Sequence, residues 1–297
     1  MPALSYIKVA RPKQWSKNLL VFAALLFTGS FKDNDLVVKA LLAFVAMSLI
    51  SSATYIVNDL IDLERDRQHP KKSKRPIAAG EVSPVAAILM AIAFACASIA
   101  IVATLGRTST LIIVIYLVLQ VAYNGGLKRV PVADVFVISM GFILRAVLGA
   151  EAIAVPISSW LLFCTGALAL MLGFGKRRNE FVVQGDERSK TRESLDGYNL
   201  SVLDALVTMS SVGAALCYAL YVIQSDTGHR YPGLIFTSPF VFYGICRYVY
   251  LVFKQGEGGE PENLLFRDGH ILFTIIGFTV FAVLAVKGFV VHMVDFK

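Results

Sequence analysis

Nine stretches of the chain are apolar over lengths that suit a bilayer core, at residues 18–31, 36–57, 84–105, 108–124, 132–153, 158–175, 201–224, 232–253 and 270–293. Crossing the hydrocarbon takes about 20 residues of α-helix. Most runs lack an alternation of period two and are bounded by Gly, Pro or charge. That predicts helices rather than barrel strands of about ten alternating residues. The expected architecture is all-α: a polytopic membrane protein with nine transmembrane helices, forming a single integral membrane domain over 1–297 with polar loops near 58–83 and 175–200. The first and fourth runs are the short ones.

Composition fits this reading. Hydrophobic residues make up 56% of the chain, charged ones 16%, and the mean hydropathy is +0.66, which excludes an ordinary soluble domain. The net charge of +7 is distributed unevenly. With the N-terminus inside, the inner segments carry Lys8, Arg11, Lys13 and Lys17, the bases of the 58–83 loop, Lys128 and Arg129, those between 176 and 200, and Lys254 and Arg267. The outer segments hold Lys32, Arg107, Arg230 and Lys297. By the positive-inside rule the N-terminus and both polar loops are expected on the cytoplasmic side of the membrane. The charge is thus chiefly a topology signal with a second use in holding anionic substrates and membrane lipids, and no nucleic-acid partner is expected. No cleavable signal peptide is expected, since bases precede the first apolar run without a small-residue cleavage site after it.

Cys96, Cys164, Cys217 and Cys246 all fall in apolar runs without metal-binding spacing, and the four histidines are scattered. They predict no zinc, haem or disulfide framework. Neither a GxxxxGK[ST] loop nor a GxGxxG fingerprint occurs. Phosphate chemistry must therefore come from the acidic and basic loops.

The acidic loop is the more informative. Asn58-Asp59-Leu60-Ile61-Asp62-Leu63-Glu64-Arg65-Asp66 directly follows a long apolar run. On a helix Asn58, Asp62 and Asp66 are spaced i, i+4, i+8, and fall on one face about 40° apart. Oxygen ligands with open positions suit Mg²⁺ completed by substrate phosphates. A solvated helix end paired with Arg65 and Arg67 is the plainer alternative.

NDLIDLERD followed by HPKKSKRPIAAG resembles the first signature of the UbiA superfamily of intramembrane prenyltransferases. The resemblance implies a nine-helix UbiA-like bundle with a cytoplasmic active site. Prenyl-diphosphate users in that superfamily carry a second motif, DxxxD, at the end of the sixth span. Here the matching place reads Gly173-Phe174-Gly175-Lys176-Arg177-Arg178-Asn179-Glu180, basic where the others are acidic. One acidic motif with a basic cluster suggests one metal-bound diphosphate and a further phosphate gripped by cations.

Three more stretches, Arg11 to Leu19, Gly126 to Asp134, and Gly141 to Arg145 with Gly149 and Ala150, look like the decaprenyl-phosphate phosphoribosyltransferase branch. That resemblance implies transfer of phosphoribose from 5-phosphoribosyl 1-diphosphate (PRPP) to a polyprenyl phosphate, a step towards the arabinose donor of cell-wall arabinan. In this reading Asn58, Asp62 and Asp66 hold Mg²⁺, Asp59 joins them or orients a water, and Arg75 with Lys74 offsets charge on the leaving pyrophosphate. Lys176, Arg177, Glu180, Arg192 and Tyr198 are candidates for the 5-phosphate and ribose hydroxyls. Lys17, Asn18, Lys128 and Arg145 are candidates for the lipid phosphate or the far end of the diphosphate.

Bland alternatives stand beside several of these. Lys176 and Glu180, at i and i+4, can pair with each other. Arg145 lies inside an apolar run, where it must face the bundle interior and find a partner; Asp134, three turns earlier, is one candidate, and both residues are also candidates for substrate. Gly141, Gly149, Gly173 and Gly175 are expected to permit close helix approach. Two other functions stay open: a prenyltransferase joining an isoprenoid diphosphate to an aromatic or glycerol-phosphate acceptor, and a transporter with an acidic cation site. A homo-oligomer is left open as well.

Overall fold

A computed structural model describes residues 2–68, 72–184, 193–255, 258–259, 264 and 267–288. Among these every regular element is helical. The long helices are α1 (Asn34–Ile61), α2 (Pro84–Leu105), α3 (Arg107–Gly125), α4 (Ala133–Ala152), α5 (Ser159–Gln184), α6 (Leu200–Gln224), α7 (Ser238–Tyr250) and α8 (Gly269–Val286). Counting the turns that flank α7, they give eight segments among the described residues that are long and apolar enough to span a bilayer, and the chain is an integral membrane protein.

The first apolar run, 18–31, takes another form. It is covered by a 3-10 helix over Pro12–Phe22, a short α-helix over Ala23–Phe27 and a 3-10 turn over Ser30–Lys32. A 3-10 helix rises about 2.0 Å per residue against about 1.5 Å in an α-helix, so a short run reaches further. Pro12 at its start and Gly29 at φ 69° bound the segment.

Helix starts follow side-chain chemistry. Asp33 accepts from the Asp35 and Leu36 amides, Ser83 from Ala86, Asn199 from Val202 and Asp268 from Ile271. Each satisfies amide groups that the first turn leaves without partners.

The chain divides into two compact units, Met1–Gly125 with Leu144–Pro156, and Gly126–Ile143 with Ile157–Lys297. Helix α4 contributes its first part to the second unit and its last part to the first. The first unit packs α1 against α2 and α3 around Met47, Ile50, Val102, Ile113, Tyr116 and Leu148. Gly149 lies against the Val21 backbone, where a Cβ would meet the carbonyl oxygen. The second unit packs α5 along α6, with Met171, Ala214, Tyr248 and Leu251 in one cluster. Gly173 admits Val135, and Gly175 admits the Tyr248 hydroxyl. Close approach therefore explains these three glycines.

Large side chains such as Leu89, Val118, Phe163 and Phe273 point outward. That suits lipid, whose acyl chains are as apolar as these side chains.

Candidate active site

In the first unit, helix α1 stops at Ile61, and a second short helix, Leu63–Arg67, follows. Asp62 sits between them at φ −91° and ψ 9°, the bridge region where many active-site residues lie. The one-face helix expected through Asn58, Asp62 and Asp66 is thus interrupted at its middle member. The spacing survives in the backbone, because the Asp62 amide donates to the Asn58 carbonyl at 3.0 Å and the Asp66 amide to the Asp62 carbonyl at 2.8 Å.

Asp59 and Asp66 are buried, while Asn58 and Asp62 are half-buried. One Asp59 oxygen accepts from Arg11 at 2.5 Å and from Arg75 at 2.8 Å. The same Arg75 nitrogen reaches Asp66 at 2.5 Å, and Lys72 Nζ stands 3.7 Å from the other Asp66 oxygen. Arg75 is thus a bridge between two carboxylates. Its loop is held by Ile77, which is buried with Val9, Ile56 and Val82, and by an Ala79 amide bond back to the Arg75 carbonyl at 2.8 Å. Lys74 beside it is exposed. On the surface of the short helix Leu63–Arg67, Arg67 pairs with Glu64.

Asn58, Asp62 and Asp66 offer oxygen donors alone, the chemistry that Mg²⁺ takes, and two of the three remain half-buried and so reachable by phosphate. Among the described residues no group of three or more His, Cys, Asp or Glu gathers as a metal cage.

Deeper in the same unit, Arg145 donates to Asn18 Oδ1 at 2.7 Å and to the Tyr116 hydroxyl at 3.2 Å, and lies 5.2 Å from the Tyr116 ring centroid. The Asn18 amide nitrogen in turn donates to Ser48 at 3.0 Å and Ser51 at 3.3 Å. Asn18 is fully buried with both ends of its amide used. Arg145, a candidate for the lipid phosphate from the sequence, is held here by Asn18 and Tyr116. Lys17, next to Asn18 in the chain, and Lys128, in the turn Leu127–Arg129, are both half-buried.

In the second unit, α5 continues through the basic segment to Gln184. Its charges have separate fates. Lys176 is exposed. Arg177 is buried and donates through Nε to Asp134 at 2.8 Å while pairing with Glu180 one turn on. Glu180 thus takes an i, i+3 pair from Arg177. Asp134 also accepts from Ser194 and from the Tyr198 hydroxyl, each at 3.0 Å, and Tyr198 accepts from the Val132 amide at 2.5 Å. Burial pushes the Tyr198 hydroxyl well above its ordinary value, opposed by the Val132 amide and reinforced by Asp134, so it stays a proton donor. Arg178 turns to Asp204 at 2.5 Å and to the Val252 carbonyl at 2.8 Å.

Arg177, Asp134 and Tyr198, candidates for substrate in this unit, are joined in a hub that fastens the 193–198 turn. Arg192 lies outside the described residues. The sequence reading missed Arg11 and Tyr116 as members of these networks. Arg11 carries one retrospective signal, a basic residue just before proline in the Arg11 to Leu19 stretch; Tyr116 carries none.

Residues 18–267 match the UbiA prenyltransferase family. Over 267 residues the chain is 36% identical to decaprenyl-phosphate phosphoribosyltransferase of Mycobacterium tuberculosis, covering 88% of this chain and 87% of that one. It is 36% identical over 271 residues to the enzyme of the same name from Corynebacterium glutamicum, covering 88% and 80%. Its fold is similar to that of a solved UbiA homolog from Archaeoglobus fulgidus bound to GPP and Mg²⁺, with a TM-score of 0.74 at 17% identity over 95% of this chain and 98% of that one. The helical membrane architecture, the acidic loop after α1 and a match over most of the chain together establish that the protein belongs to the UbiA prenyltransferase family.

Proposed function

We propose that this protein transfers 5-phosphoribose from PRPP to a polyprenyl phosphate such as decaprenyl phosphate, releasing pyrophosphate. The observation that carries the reading is the 36% identity, over 88% of the chain, to enzymes named decaprenyl-phosphate phosphoribosyltransferase. The basic segment at Lys176 supports it, since a donor with a phosphate at each end needs cations as well as a metal-binding motif.

Asn58, Asp62 and Asp66 would hold Mg²⁺, which when bound supplies charge to the diphosphate and eases its departure. Arg75 and Lys74 stabilise charge building on the leaving pyrophosphate. Asp59 keeps Arg75 aimed, since it accepts from that guanidinium. Lys176 and Glu180 are assigned to the 5-phosphate and ribose hydroxyls, with Arg177 orienting Glu180. Lys17 and Lys128 are assigned to the lipid phosphate. That phosphate is anionic at neutral pH and needs no strong general base; its oxygen bonds to the anomeric carbon as the bond to pyrophosphate breaks on the opposite face, and this single displacement inverts the centre. The N-terminus and these loops face the cytoplasm of a bacterial plasma membrane, in agreement with their Lys and Arg content.

The test is transfer by the purified protein with Mg²⁺, radiolabelled PRPP and a polyprenyl phosphate, followed by lipid extraction. A labelled lipid whose formation stops with EDTA is the expected result. Folded protein that labels no lipid at several chain lengths, yet joins an isoprenoid diphosphate to an aromatic acceptor, would overturn it.

A further inference from the structure

Asp59 is a buried carboxylate whose one oxygen serves two guanidinium groups, Arg11 at 2.5 Å and Arg75 at 2.8 Å. Arg75 is shared with Asp66, and a leaving diphosphate would draw it away from both. A buried carboxylate stripped of its cation is strongly destabilised. Asp66 keeps Lys72 nearby. For Asp59 the second cation is Arg11.

We propose that Arg11 is a positioning residue for the acidic motif, holding the Asp59 side chain in place so that Arg75 can exchange from carboxylates to a diphosphate. The proposal rests on the metal-and-diphosphate reading above. It assigns Arg11 no contact with substrate.

Arg11 is built to stay while Arg75 moves. The chain around it is fastened along one face of α1. The Ser52 hydroxyl donates to the Ala10 carbonyl at 2.7 Å, and the Trp15 indole donates to Ser52 at 3.0 Å. One turn further, the Tyr55 ring lies 5.1 Å beneath the Arg11 guanidinium, a contact that favours the cation. Asp59, one more turn along, receives its hydrogen bond. Arg11 itself sits at φ 52° and ψ 55°, a left-handed conformation that is unfavourable for a residue with a Cβ and more so before proline. Such strain persists where surrounding contacts fix it, and it concentrates at working sites. Arg75, by contrast, comes from the loop that follows the motif and divides its guanidinium between two acids.

The test is binding of Mn²⁺ with inorganic pyrophosphate, read by electron paramagnetic resonance on the full-length protein in detergent. Arg11→Gln is expected to weaken that binding about tenfold, and Arg11→Lys, which keeps the charge, by under about threefold. In an Asp59→Asn background the carboxylate needing a cation is gone, so Arg11→Gln should add less than about twofold. An equal loss in both backgrounds, or no loss in either, overturns the proposal. Circular dichroism and melting check the fold; should Arg11→Gln unfold, the same comparison with Arg11→Lys decides, an equal loss in both backgrounds again refuting it. Because the readout needs no phosphoribosyl transfer, coupling between Arg11 and Asp59 can hold while the transfer assay fails, and the reverse.

Discussion

The two units carry arginine–aspartate networks of similar composition and different burial. In the acidic motif Arg75 has 30% of its side chain exposed against 3% for Asp66, whereas in the second unit Arg177 and Asp134 have 3% and 0%. A pair open to water on the cation's side can exchange partners at modest cost. A pair desolvated on both sides cannot, because separating it leaves a buried charge uncompensated. On the proposed function the same two residue types serve as exchangeable chemistry in one place and as a fastening in the other. Exposure of the guanidinium separates the roles.

The largest expected effect tests the exchangeable side. Asp62→Ala or Asp66→Ala should lower Mg²⁺-dependent transfer by about 10³-fold or more with the helical fold intact, as seen in lipid-extraction assays alongside circular dichroism. Full activity in both would remove the metal from the mechanism.

Next comes the fastening. Asp134→Asn is expected to destabilise the protein by about 3–5 kcal/mol, read as a lowered melting temperature in detergent. Lost activity at unchanged stability would move Asp134 and Arg177 to the substrate. A milder change is expected at the exposed cation beside them. Lys176→Ala should raise the apparent KM for PRPP about tenfold and leave that for the lipid within about twofold. The reverse ranking would place Lys176 at the lipid phosphate.

The pair Arg247 and Asp268 lies between the extremes, 22% and 11% exposed, at 2.7 Å, and sharpens the comparison by pH. Hydrogen bonding from Arg247 holds the Asp268 carboxyl below the usual carboxylate value, burial opposing. Its folded value is depressed, so its stabilisation is fully present above the unfolded value, about pH 4. It fades as pH falls through the lower folded value. Melting temperature should therefore drop less steeply below about pH 4 in Asp268→Asn than in the parent; parallel curves would discount the pair.

Much of the fold was legible because a bilayer demands long apolar helices whose backbones bond internally. Runs such as 84–105 and 201–224 nearly coincide with α2 and α6. The run 18–31 was not legible in form, since length and hydropathy do not distinguish 3-10 from α winding. The acidic loop was legible because carboxylates after an apolar run have few structural uses, and its spacing survives the break at Asp62.

What the sequence by itself determined is the class of molecule, the helical membrane architecture and the loops that carry charge, all of which follow from local composition and spacing. Only the tertiary structure decided which charges are spoken for. Asn18 and Ser48, Arg11 and Asp59, Asp134 and Tyr198 are far apart in the chain and meet through packing. Whether a charged side chain is available to a substrate depends on its solvation and partners, which are long-range properties that no local pattern encodes.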